Sequence, residues 1–213
     1  GLTELKLQRF TDAVRALRRA VDLQPNNEDA HVKLGDIFLL AYSNDPKRPK
    51  EYIEEIRELS EKLLKKNPNH YDGLRMKGYV AQANKDVPGA LEAFEAANRA
   101  KPLQPEVTSV LFQTLVASDR FPEAEKLGLE LIEKNKNYPL MYDLLYIQYA
   151  GRKRLEDAEK MLQKKVESNP KQPTFLTQLA SHYLALRRQP EMESTVQKLV
   201  QPGAFQLGHL LAG

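Results

Sequence analysis

The sequence predicts an all-α protein, a solenoid of antiparallel helix pairs, and three observations carry that expectation. Small or apolar residues recur every 34 positions, at Ile56, Ala90, Ala124, Ala158 and Met192. Prolines follow the same period at Pro68, Pro102 and Pro170, with Lys136 standing in the series before Pro170. Between these markers the chain reads as two amphipathic helices joined by a few residues, and linkers that short make neighbouring helices antiparallel. A fixed period of this length is a structural repeat, in which each unit buries its apolar face against the next.

The repeat overrides what 213 residues alone suggest, one or two globular domains. It predicts a single array over 1–213. Units fall at about 28–70, 71–104, 105–138, 139–172 and 173–202, with partial units at 1–25 and 203–213.

Taken in order, residues 1–7 read as the tail of one helix, followed by a turn at Gln8 and Arg9. A second amphipathic helix then runs from Phe10 to Pro25, capped near Thr11 or Asp12, with Ala13, Val14, Leu17, Ala20 and Val21 at helical spacing on its buried face. Ala30, Leu34, Gly35 and Phe38 form the apolar edge of the next helix. Ala13 to Ile56 spans 43 residues, nine beyond the period, and the Pro- and charge-rich stretch from Tyr42 to Glu51 is expected to hold the excess as a loop. From Tyr71 onward the register is strict. Pro105, Pro139 and Pro173 open first helices. Pro88, Pro122 and Pro190 sit in the first turn of second helices, where the missing N–H costs nothing. Lys85, Arg120, Lys153 and Arg187 lie near the ends of first helices, where positive charge meets the negative end of the helix dipole. Val200 to Gly203 interrupt the last second helix, and residues 204–213 read as the opening of another first helix.

Composition narrows the function. Lys and Arg number 32 against 29 Asp and Glu, a formal +3, and the two signs alternate along helices. That pattern is a solvated face rather than a nucleic-acid footprint. There are no cysteines, which excludes disulfides, thiolate zinc sites and thiol catalysis. No apolar run reaches a membrane span. His31, His70, His182 and His209 are scattered without metal-ligand spacing, and no phosphate-binding glycine loop or nucleophile elbow occurs. The expectation is no catalytic residue, no metal and no cofactor. The only compact basic motif is DPKRPK, Asp45 to Lys50, read as a surface insertion or a docking loop for an acidic partner.

The residues resemble the tetratricopeptide repeat. Leu34, Gly35 and Phe38 follow its first-helix pattern. Leu74, Gly78, Ala90, Phe94, Ala97 and Pro102 follow a full unit, as do Tyr142, Leu145, Tyr149, Ala158, Leu162 and Pro170. The chain departs from the pattern in having no Trp, in Phe112 and Tyr146 at a small position, and in Gly128 at a large one.

The resemblance implies a right-handed superhelix with first helices on its concave side. It also implies a non-catalytic scaffold that binds a protein or peptide segment there. Offsets two, five, six and nine of each first helix share one face. Unit three then offers Asp72, Arg75, Met76 and Tyr79. Unit four offers Glu106, Ser109, Val110 and Gln113, and unit five offers Leu140, Asp143, Leu144 and Ile147. From these, Arg75, Met76, Tyr79, Val110, Gln113, Asp143, Leu144 and Ile147 are the expected partner-binding set, with Tyr79 and Arg75 its energetic centre. The Lys and Asn set of chaperone-tail carboxylate clamps is absent, as is an asparagine ladder. An alternative reading is an arm of a larger secretion, exopolysaccharide-export or enzyme system, with any catalysis outside these residues. Leu2, Leu5 and Leu7 at one end, and Leu207, Leu210 and Leu211 at the other, suggest uncapped faces and self-association.

Overall fold

The computed structural model describes the backbone of residues 2–200 and the side chains of residues 9–199. Eleven helices are the regular elements of this region: α1 Leu2–Leu23, α2 Glu28–Asn44, α3 Lys50–Lys66, α4 Tyr71–Ala83, α5 Val87–Ala100, α6 Pro105–Ala117, α7 Phe121–Lys134, α8 Pro139–Gly151, α9 Leu155–Ser168, α10 Thr174–Ala185 and α11 Gln189–Val200. The fold class is all-α, as the period predicts. The chain divides into two compact units, Gly1–Asp119 and Arg120–Gly213.

Two local expectations are corrected. No turn interrupts the chain at Gln8 and Arg9, and Thr11 and Asp12 lie inside a helix rather than at its start, because α1 is one continuous 22-residue helix. It contains no Gly or Pro, and Gln and Arg are good helix formers, so nothing breaks it. The nine-residue excess is also mostly helix rather than loop. Helices α2 and α3 have 17 residues each, against 13 in α4, α6 and α8 and 14 in α5, α7 and α9. Helix α2 stops only at Asp45, extended at φ −90 and ψ 115, because the residue before a proline is pushed out of the helical region. The short remaining loop is fixed by its own turn, in which the Lys47 N–H donates to Asp45 Oδ1 at 2.9 Å. The expected opening of a further unit at 203–213, with its leucines and His209, lies outside the described residues, and so do the side chains of Leu2, Leu5 and Leu7.

In the first unit the core is built from α1 to α6. Leu34, Phe38, Ile53, Ile56, Leu59, Leu63, Met76 and Val80 are buried together, and Phe10, Val14, Leu17 and Val21 of α1 pack on them. Further along, Phe94, Ala97 and Val107 are 0 % exposed. Ala90 of the 34-residue ladder is 2 % exposed, and a close-packed interior leaves little room there for a longer side chain.

The second unit repeats a polar clasp beside its core. The Tyr149 hydroxyl of α8 donates to Glu125 of α7 at 2.9 Å, and Arg154 pairs with the same carboxylate at 2.8 Å. One period later the Tyr183 hydroxyl of α10 donates to Glu159 of α9 at 2.9 Å, and Arg188 pairs with Glu159. In both copies the guanidinium lies over its tyrosine ring, at 4.6 and 4.9 Å.

The turn between first and second helix has its own signature. Lys85, Asp119, Lys153 and Arg187 stand 34 apart, and all four adopt positive φ, between 56 and 61°. After α4 the Lys85 N–H reaches Gln82 O at 3.0 Å and the Asp86 N–H reaches Ala81 O at 2.9 Å. Those two bonds are the paired helix-ending pattern in which glycine usually takes the left-handed position. Lys153 with Arg154, and Arg187 with Arg188, make the same two bonds. The chain uses charged residues where glycine is the unstrained choice.

Candidate functional site

In the first unit, three first helices converge on one buried cation. Arg75 sits mid-helix in α4 with its side chain 6 % exposed. Its guanidinium meets Asp36 of α2, Asp72 one turn back on α4 at 3.2 Å, and Glu106 of α6 at 3.3 Å. The Tyr79 hydroxyl, one turn beyond Arg75, donates to the same Glu106 oxygen at 2.9 Å. Helix periodicity makes this possible, since Asp72, Arg75 and Tyr79 lie at offsets of three and four on one face.

The electrostatics follow from crowding. Burial works against the charged form of Arg75, but the hydrogen bond and charge of Asp36 and the charges of Glu106 and Asp72 outweigh it. The guanidinium is therefore held above its ordinary range. Burial pushes the Tyr71 phenol up to about 12, with the charges of Glu106, Asp72 and Asp36 adding to the effect. Burial and Glu106 raise Tyr79 as well. Both phenols stay protonated donors at neutral pH.

These residues form the wall of an open recess of about 820 Å³ on α2, α4 and α6. Leu39, Leu40 and Tyr71 supply its apolar side, and Arg48 of the basic loop stands at its edge. Leu40 is 65 % exposed. Two features read separately in the sequence, the first-helix stripe and the Asp45–Lys50 loop, thus meet at one place.

The expected binding set divides. Arg75 and Tyr79 line the recess. Met76 is corrected: it is 0 % exposed and belongs to the core. A Cβ added at Gly35 would overlap Met76 Cε, so the missing side chain of one unit makes room for the methionine of the next. On α6, Val110 is half-buried and Gln113 exposed. In the second unit, Asp143 is held from within. Lys165 Nζ donates to both its oxygens at 2.6 and 2.7 Å and to Gln178 at 2.8 Å, and Gln178 donates back to Asp143 at 2.9 Å. Leu144 is half-buried and Ile147 is 58 % exposed.

The described histidines have structural surroundings. His31 Nδ1 lies 2.8 Å from Asn27 O, His70 Nδ1 accepts the Gly73 N–H at the start of α4, and His182 packs edge-on against Tyr146. Among the described residues no cluster of His, Asp and Glu is arranged to hold a metal, and no helix is long and apolar enough to cross a membrane.

Helix pairs on a 34-residue period, with small residues where helices cross and polar side chains on the first-helix face, define an α-helical repeat protein of the interaction class. Residues 1–40 match the model of a TPR repeat and residues 56–105 that of a tetratricopeptide repeat. Those two stretches of the chain therefore carry tetratricopeptide repeats. No curated protein matches it. Among solved structures it is similar to Pseudomonas aeruginosa pilF, at 18 % identity over all of this chain and 92 % of that one, with a TM-score of 0.65. It is also similar to YrrB, described as a TPR protein with an unusual peptide-binding site, at 14 % identity over 93 % of this chain and 98 % of that one, with a TM-score of 0.61. A third, MamA, aligns at 17 % identity over 80 % of this chain and 94 % of that one, with a TM-score of 0.61. Proteins of this repeat class are in general non-catalytic scaffolds that bind protein or peptide partners.

Proposed function

We propose that this protein holds an extended or helical segment of a partner protein against its first-helix face, with the recess on α2, α4 and α6 as the main contact of the first unit. The observation that carries this reading is the recess itself: polar groups locked in place by one another, beside an exposed leucine and tyrosine rings. Rigid, preorganised walls lose little freedom on binding. Tyr79 and Leu40 offer contact area, while Arg75 is the post that fixes the carboxylates rather than a free donor. Gln113 of α6, and Leu144 and Ile147 of the second unit, are further contacts in this proposal, with Asp143 held in position by Lys165.

Site-specific photo-crosslinking in the source cells tests it. A crosslinker at Leu40 or Gln113 is expected to capture the same discrete partner, and one at Glu92, exposed on the second helix α5, is not. Equal capture from Glu92, or none from either first-helix position, places the functional surface elsewhere.

A further inference from the structure

We infer that the recess takes a lysine or arginine side chain of the partner segment, a step that rests on reading the first-helix face as the docking surface. The geometry around Arg75 points to a basic occupant. Asp36 and Asp72 meet the guanidinium through Oδ1 and Glu106 through Oε1. A carboxylate has acceptor sites on both oxygens. Asp36 Oδ2, Asp72 Oδ2 and Glu106 Oε2 have no protein partner among the described residues, so three half-used carboxylates line one cavity.

The charge count agrees. Three carboxylates face one guanidinium, and adding Arg48 at the edge still leaves the lining negative. Arg48 is engaged over an aromatic ring of the same lining, with its guanidinium 5.5 Å from the Tyr42 ring. An acidic side chain finds no such reception. Both terminal nitrogens of Arg75 are already committed to carboxylates, and the group is almost wholly buried. The apolar side, Leu39, Leu40 and Tyr71, suits the methylene stem of a long basic residue, which lies along apolar surface while its head reaches polar groups. A guanidinium adds paired donors that match a carboxylate fork.

The test uses the full chain and a phage-displayed library of random dodecapeptides. Panning is expected to enrich peptides with Lys or Arg at one fixed position. An enriched peptide is then synthesised, labelled and titrated by fluorescence anisotropy. Replacing its basic residue by Gln, or Glu106 of the protein by Gln, should each weaken binding about tenfold, and added salt should weaken it further. Glu106→Gln takes one carboxylate from the buried Arg75, so its melting temperature is measured first and the titration is made where the variant is fully folded, and the peptide substitution reads the charge without touching the protein at all. Leu40→Arg separates the two levels of the argument. If Leu40→Arg abolishes binding while the Gln substitutions leave it unchanged, the docking face stands and the basic occupant is wrong. Unaltered binding in all three cases removes the docking face as well. Enrichment of acidic or uncharged peptides, or of none, also overturns the inference.

Discussion

The Phe94 ring of α5 lies so close to Gly78 of α4 that a Cβ at Gly78 would overlap it. Phe94 is 0 % exposed and has nowhere to retreat. Gly78→Ala should therefore lose stability, by up to about 2 kcal/mol net, because overpacking of about 1–3 kcal/mol outweighs the gain of about 1 kcal/mol from replacing a mid-helix glycine. Gly35→Ala meets only the flexible end of Met76 and is expected to be near neutral. Phe94→Ala should cost about 3–5 kcal/mol. Urea denaturation of the three variants checks the order, and equal behaviour of the two glycine variants would falsify the packing argument.

The left-handed turns predict a gain. A non-glycine residue at positive φ costs about 1–2 kcal/mol, whereas glycine adds about 0.4–1 kcal/mol of chain entropy to the unfolded state. The strain wins, so Lys85→Gly and Lys153→Gly should each stabilise by about 0.5–1 kcal/mol. Thermal melts measure it. A lower melting temperature in both variants contradicts the assignment of strain to these turns.

The Lys165 ammonium is 4 % exposed and depends on Asp143. Asp143→Ala strands that charge and should cost about 3–5 kcal/mol. Lys165→Met removes the buried charge instead and leaves Asp143, 31 % exposed, with Gln178 and water. That variant should cost less, about 1–2 kcal/mol. Chemical denaturation of the pair reads the difference, and the reverse order shows that burial of the ammonium is not what matters.

Acid should weaken the second unit through His182. Burial lowers its pKa below the ordinary 6.5, against the charge of Glu159 and with that of Arg188. The unfolded chain then binds a proton that the folded chain refuses, so stability is whole above about 6.5 and falls as pH drops from there toward the lowered folded value. His182→Phe should flatten the stability profile between pH 7 and 5 relative to wild type. Parallel slopes for the two proteins remove His182 as the cause.

The sequence made the repeat legible because a small residue buried in a close-packed core admits few substitutes: Ala90, Ala124 and Ala158 are all at most 2 % exposed. The limits of α1 and α2 were less legible, since the period says where helices must meet and not where they must stop. Arg75 and Tyr79 are legible as neighbours because they share a helix face. Their partner Glu106 lies 27 and 31 residues away, and Asp36 lies 39 from Arg75, so the cluster appears only when equivalent positions are read across units. Met76 was misplaced for the same reason, because its burial depends on a glycine in the preceding unit. The approach of the Asp45–Lys50 loop to the recess depended on the length of α2, which no local motif states.

One guanidinium joins α2, α4 and α6, and that has a consequence for how the first unit opens. A stack in which each repeat touches only its neighbours frays stepwise, each repeat adding its own term. Arg75 adds a coupling that skips a repeat, because releasing either Asp36 or Glu106 unbalances the same buried charge. Amide protons of these three helices should then exchange with solvent as a single block, protected or lost together.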